Sequence, residues 1–231
     1  MPERNKLFSY GLLAVVILLV ALAVVYLIGP SFFVAQPGVD VAKQTELRSY
    51  DGTPLSSVGD FRENSIKGPR HIDIGNYTLT IDGAVSTPRT YDYEAVVDGH
   101  AHYRKVVTLN CVEGWSVTIL WDGVRVADLL DEAGVEPAAQ TVRFYAYDGY
   151  STSFPLGYIR DNGIMMAYAM NNVTMPPERG YPFQLVAEGK WGYKWIKWIT
   201  RVEVSTSPVL SGYWETRGYS ADGDLNRSFL A

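Results

Sequence analysis

Leu7 to Ile28 contains no charged residue. An apolar run of that length spans a bilayer as a helix, and whatever else the chain folds into must be built from the residues after it. The run exceeds the apolar stretch of a cleaved leader, and no small-x-small site follows it before Pro30, which predicts a retained transmembrane anchor. Arg4 and Lys6 precede it, whereas the first basic residue behind it is Lys43; this asymmetry predicts an inside N-terminus and an extracytoplasmic body in the cell membrane. Asn76-Tyr77-Thr78, Asn172-Val173-Thr174 and Asn226-Arg227-Ser228 are acceptor tripeptides compatible with that side.

A chain of 231 residues with 47% hydrophobic content supports one substantial core beside an anchor, and two full domains would be crowded. The net charge of −5, without long basic runs, argues against nucleic acid as a partner. Sixteen tyrosines and six tryptophans imply broad aromatic packing with polar tips, as in a pocketed enzyme or a strand-rich surface protein. The single cysteine rules out a disulfide framework within the chain.

Pro, Gly, Ser and charge dominate from Gly29 to about Pro69, which predicts a stalk over 30–70 between an anchor over 1–29 and a domain over 71–207. Tyr77, Leu79 and Ile81 alternate as a strand ending at Asp82-Gly83, and Tyr91 to Val97 suits a short helix. Thr141–Tyr147, Ile164–Met170, Phe183–Ala187 and Thr200–Val204 read as further strands. The Gly-, Asp- and Ser-rich residues 208–231 read as a peripheral tail. Few short helices among many strands predict an α+β class with a mixed sheet.

Cys111 sits where a strand stops. Val106 to Leu109 is a β-branched, apolar run, Asn110 to Gly114 reads as a loop leaving its end, and Val126, Leu129, Leu130 and Ala133 recur at helical spacing before Gly134, a left-handed cap position. A lone cysteine is either a small inert core residue or a thiol kept free for chemistry. The segment Cys111-Val112-Glu113-Gly114-Trp115-Ser116, followed by Trp121 and Gly123, resembles the molybdopterin domain of the sulfite oxidase family, most closely the catalytic subunits of periplasmic methionine sulfoxide reductases. The resemblance covers roughly Ile72 to Ser207. It implies a mixed α+β sulfite-oxidase-type fold, a molybdenum-molybdopterin cofactor, and Cys111 as a thiolate ligand of the metal, a soft donor suited to that role. Glu113 is either a proton relay beside the metal or a solvated loop carboxylate.

Lys190 to Ile199 is dense in basic and aromatic residues and, read as a strand, would place both on each face. One reading is an edge strand with snorkelling lysines. The resemblance implies another, in which Lys194, Trp195, Ile196 and Lys197 hold the pyranopterin and its phosphate, with Arg179 as a nearby cationic anchor and Tyr147 and Gly149 as further contacts. Gln184 stands where relatives carry a cation, and relatives' Asn and aromatic contacts upstream have no match between Lys67 and Ile81. His71, His100 and His102 make no metal-ligand spacing and read as surface residues.

These readings combine into a membrane-anchored oxidoreductase that moves an oxygen atom to or from a small substrate such as a sulfoxide or a sulfur oxyanion, served by a membrane cytochrome or quinone-linked electron partner. The rival is a cofactor-free binding or scaffold protein that keeps the fold.

Overall fold

The computed structural model describes residues 45–231. The anchor expected at Leu7–Ile28 and the first half of the expected stalk lie outside them. No helix among the described residues is long and apolar enough to cross a membrane.

Two five-stranded sheets carry the body. In the first, β5 (His102–Asn110) pairs with β6 (Ser116–Arg125), β6 with β9 (Met165–Met170), and β9 with both β10 (Val173–Thr174) and β11 (Gln184–Val186), all antiparallel. In the second the order is β4 (Arg89–Tyr91), β3 (Leu79–Gly83), β12 (Ile199–Ser205), β7 (Thr141–Ala146), β8 (Ser151–Pro155), and β12 runs parallel to β3. One parallel pair among antiparallel ones makes this sheet mixed. Among the described residues, three short helices, α1 (Tyr93–Gly99), α2 (Val126–Ala133) and α3 (Leu156–Asp161), complete the α+β class.

The strand, loop and helix read around Cys111 form with one addition. The aromatic stretch after the cysteine is β6, which returns along β5 in register from Asn110 opposite Ser116 to His102 opposite Val124, so Cys111 stands at a hairpin tip. Gly114, with φ 86°, closes that tip by donating to the Cys111 carbonyl, while the Cys111 N–H donates to the Trp115 carbonyl at 2.9 Å. β6 then runs straight into α2, which buries Val126, Leu129, Leu130 and Ala133 and ends where the Gly134 N–H reaches the Leu130 carbonyl at φ 70°. Gly123 lets β9 approach: a Cβ there would sit 2.3 Å from the Met166 carbonyl oxygen.

Three expectations change. Residues 45–69 do not stand away from the body. Leu55 and Val58 are buried, a small hairpin joins β1 (Ser49–Tyr50) to β2 (Thr53–Pro54), and the Leu47 N–H donates to the Asn171 carbonyl. Residues 190–198 are not a two-faced strand. Gly192–Lys194 is a 3₁₀ turn, and Trp198 has φ 53° before β12 begins. The turn wins because Gly192 has no side chain, and a Cβ there would lie 3.2 Å from the Asn110 carbonyl oxygen; the turn thus packs directly on the cysteine loop. Finally, residues 208–231 do not hang free. The Trp191 N–H donates to the Gly223 carbonyl, the Tyr193 hydroxyl to that of Ser220, and Lys190 pairs with Asp224.

Candidate active site

A cavity of about 590 Å³ opens where six pieces of chain meet: the segment before the family-like domain, the β5–β6 tip, the 148–150 turn, residues 178–184, the 192–198 turn and the C-terminal segment. Cys111 lines it, buried and free of any disulfide. Burial raises its thiol above the usual cysteine value. The Asn64 amide lies 3.6 Å from Sγ and donates toward it. Glu113 also lines the cavity; it accepts from the Trp115 indole at 3.1 Å and faces Arg62 at 3.8 Å. The Trp115 bond, then Asn64 and Arg62, hold its carboxyl below the ordinary range, so it is ionised at neutral pH.

The remaining expected site residues divide. Lys197 lines the cavity with its ammonium on the Glu63 carboxylate and 3.3 Å from the Glu178 carbonyl. Trp195 and Ile196 line it too, as buried packing groups: the Trp195 indole donates to the Lys190 carbonyl and its ring meets Trp121 at 5.6 Å. Arg179 touches the cavity, but its guanidinium is spent on backbone, donating to the carbonyls of Val58 (2.9 Å), Phe61 (2.7 Å), Arg62 (3.3 Å) and Gly59 (3.5 Å) under the Phe61 ring. Lys194 is fully buried outside the lining, and its three donors are all used, on Glu215, the Ser153 carbonyl and the Ala221 carbonyl. Tyr147 is 62% exposed and neither it nor Gly149 reaches the cavity; the residues between and after them, Asp148 and Tyr150, do.

Sequence reasoning missed Asn64 and Ser65, which lie just upstream of Lys67, and the rings of Tyr213, Trp214 and Tyr219 from the C-terminal segment. The signal for the latter was present: three large aromatics within seven residues do not suit a solvated tail.

The sequence profile described as "Oxidoreductase molybdopterin binding domain" matches residues 66–214, a span that holds the cysteine loop and the 192–198 turn. The chain belongs to the molybdopterin-binding oxidoreductase family. Within that family it is 31% identical over 157 residues to the uncharacterized oxidoreductase YuiH of Bacillus subtilis, covering 68% of this chain and 78% of that protein. It is 30% identical to the protein-methionine-sulfoxide reductase catalytic subunit MsrP of Gluconobacter oxydans, of which it spans 46%, and 26% identical to the mitochondrial sulfite oxidase of Drosophila melanogaster, of which it spans 27%. The sulfane dehydrogenase SoxCD of Paracoccus pantotrophus shares the fold, with a TM-score of 0.66 at 23% identity over 78% of this chain and 49% of that one.

A molybdenum-molybdopterin is the cofactor of this family, and the cavity suits it. Among the described residues no group of three or more His, Cys, Asp or Glu could hold a metal by itself, and Cys111 puts a soft sulfur donor on the cavity lining. The Ser65 hydroxyl, shielded from water on the cavity lining, has no hydrogen-bond partner of its own, as expected of a group facing a polar ligand.

Proposed function

We propose that this chain is a membrane-anchored molybdopterin enzyme that exchanges an oxygen atom with a small sulfur substrate, using Cys111 as the protein's ligand to the metal. The observation that carries the reading is the unpaired Cys111 thiol at a rigid hairpin tip inside a cavity of cofactor size. When bound, the molybdenum centre supplies two-electron oxygen-atom exchange.

The chain's own residues hold and shape. Asn64 donates toward the Cys111 sulfur, fixing its orientation and stabilising a thiolate. Glu113, ionised and tethered by Trp115 at the cavity, is placed to take up or release the proton that accompanies oxygen exchange. Lys197 supplies a cation for the pterin phosphate once its bond to Glu63 is shared or exchanged, and Ser65 adds a hydroxyl. Trp195 and Ile196 form an apolar floor. Lys194 and Arg179 act at one remove, by fixing the flanking segments that wall the cavity.

The anchor is Leu7–Ile28, the domain faces the extracytoplasmic side, and reducing equivalents come from a membrane cytochrome or quinone-linked partner. Protease access to the residues before Thr45 in intact cells tests the orientation: cleavage supports it, whereas protection relieved only by lysis places the domain inside. Metal analysis of purified full-length protein tests the enzyme reading. About one molybdenum per chain is expected. Protein free of molybdenum and pterin after expression in a host that makes the cofactor would favour the scaffold reading instead, for which the spent cations of Arg179 and Lys194 and the neutral Gln184 on the cavity wall speak.

A further inference from the structure

Of the six pieces of chain around the cavity, five are fixed by backbone hydrogen bonds. The Cys111 N–H donates to the Trp115 carbonyl, Gly149 to Ala146, Arg179 to Pro176, Trp195 to Gly192 and Tyr213 to Ser151. The sixth, Phe61 to Ile66, supplies six consecutive lining residues and is held differently. Among the described residues, no backbone N–H from Phe61 to Arg70 donates a hydrogen bond to protein. This wall belongs to no strand or helix, so side-chain contacts alone keep it against the body.

Arg179 makes most of those contacts. It is 8% exposed, it donates to the carbonyls of Val58, Gly59, Phe61 and Arg62, and its guanidinium lies 3.7 Å from the centre of the Phe61 ring. Beyond it, the Lys197 ammonium holds the Glu63 carboxylate, the Asn64 amide donates toward the Cys111 sulfur, and Phe61 meets the Trp115 ring at 5.8 Å. The chain on either side is firm. Val58 is buried and its N–H donates to Glu46, while Ile72 packs on the core. Between these ends stand two glycines: Gly59 has open space where a Cβ would point, and Gly68 has φ 76°, a left-handed conformation that favours glycine. A segment without ladder bonds, set between firm ends and glycine joints, opens at the cost of its side-chain contacts alone.

We propose that residues 59–68 are a strap that opens as one piece to let the cofactor into and out of the cavity, and that Arg179 is its latch. What passes the strap rests on the oxidoreductase reading above; that the strap opens does not. Closed, it sets Asn64 over the chain's single thiol and Glu63 on the cation offered to a phosphate. Glu63 and an arriving phosphate compete for Lys197, so an anion that takes the ammonium also removes one of the strap's own bonds.

The single cysteine reports the motion. Full-length protein made in a host without the cofactor is reacted in detergent with 4,4′-dithiodipyridine, and the rate at Cys111 is compared with that of the urea-unfolded chain. The parent is expected to react through an opening that depends on urea far less steeply than global unfolding followed by circular dichroism. Arg179→Gln should raise the rate about tenfold with that shallow dependence kept, and Glu63→Gln should raise it by a smaller factor. In holoprotein, Arg179→Gln should release pterin faster by a like factor, read by the fluorescence of the released pterin. Cys111 reactivity that tracks global unfolding in urea, or the parent's rate in both variants, would overturn the strap. Faster reaction at Cys111 with pterin released at the parent's rate would overturn its role as the cofactor's gate. A parent that never carries pterin would sink the oxidoreductase reading, and with it the cofactor as passenger, while the Cys111 rates still decide whether the strap opens.

Discussion

The Lys194 ammonium and the Glu215 carboxylate meet at 2.6 Å with 0% and 3% of their side chains exposed, joining the turn beside the cysteine loop to the C-terminal segment that lines the cavity. Burial pulls the Lys194 pKa below the ordinary lysine value even with Glu215 in contact, and its two carbonyl acceptors complete the ammonium's three bonds. Removing one partner leaves the other charge buried and alone. Lys194→Gln is therefore expected to cost about 3–5 kcal/mol of stability, read as a lowered urea midpoint. Were Lys194 a phosphate ligand instead, the variant would lose pterin while melting like the parent.

Lys197 should behave in the opposite way. It lies on the cavity lining, and the group it pairs with, Glu63, lies there too. Lys197→Gln is expected to lower pterin fluorescence per protein by weakening a charge-assisted contact of about 1.5–3 kcal/mol, with a smaller fall in the apo melting midpoint than Lys194→Gln because Lys197 and Glu63 keep 14% and 21% of their side chains exposed.

Cys111→Ser should abolish turnover with any sulfoxide or sulfur oxyanion and leave the fold intact, because the replacement is small and the hairpin tip is held by backbone bonds at Cys111 and Gly114. Circular dichroism together with a viologen-linked assay checks both halves; turnover at the parent's rate would remove Cys111 from the metal.

Glu46 gives a pH signature to the segment before the domain. Burial raises its carboxyl, but the Val58 N–H at 2.7 Å, the Asn171 amide at 3.2 Å and the Ser57 hydroxyl at 3.2 Å together hold it below the ordinary value of 4.5. A depressed carboxyl contributes stability that is present in full above the unfolded value and is lost as pH falls through the folded one. Glu46→Gln should cost about 1 kcal/mol at pH 7, and parent and variant should melt together once the pH is below the carboxylate range.

Much of the body was legible because periodicity reports burial. The Val126, Leu129, Leu130, Ala133 spacing and Gly134 gave α2 to the residue, and the alternation over residues 141–147 and 200–204 gave β7 and β12 to within about two residues. Cys111 stands out by its loop, and it lies on the cavity lining. What composition concealed were segments that own no core and complete another's. Residues 45–69 and 208–231 look solvated because most of their side chains are, yet they are fixed by polar bonds to distant residues, as in Glu46 to Asn171 and Glu215 to Lys194. Hydrophobic pattern cannot show such bonds. Lys194 was illegible for the same reason: a cation beside aromatic residues reads as a ligand site until its acceptors are counted, and all three of its acceptors are within the protein.

Because the cavity is finished by residues so late in the chain, its walls leave the ribosome at different times. Cys111 is made roughly a hundred residues before Tyr213 to Tyr219, so at about 5–20 residues per second the thiol loop exists for on the order of ten seconds without its aromatic cover. The cavity therefore exists only once nearly the whole chain is made, since its walls also take residues 148–150, 178–184 and 192–198. A chain cut after residue 207 would lose three rings of one wall and, at the same stroke, the carboxylate that partners the buried Lys194 ammonium.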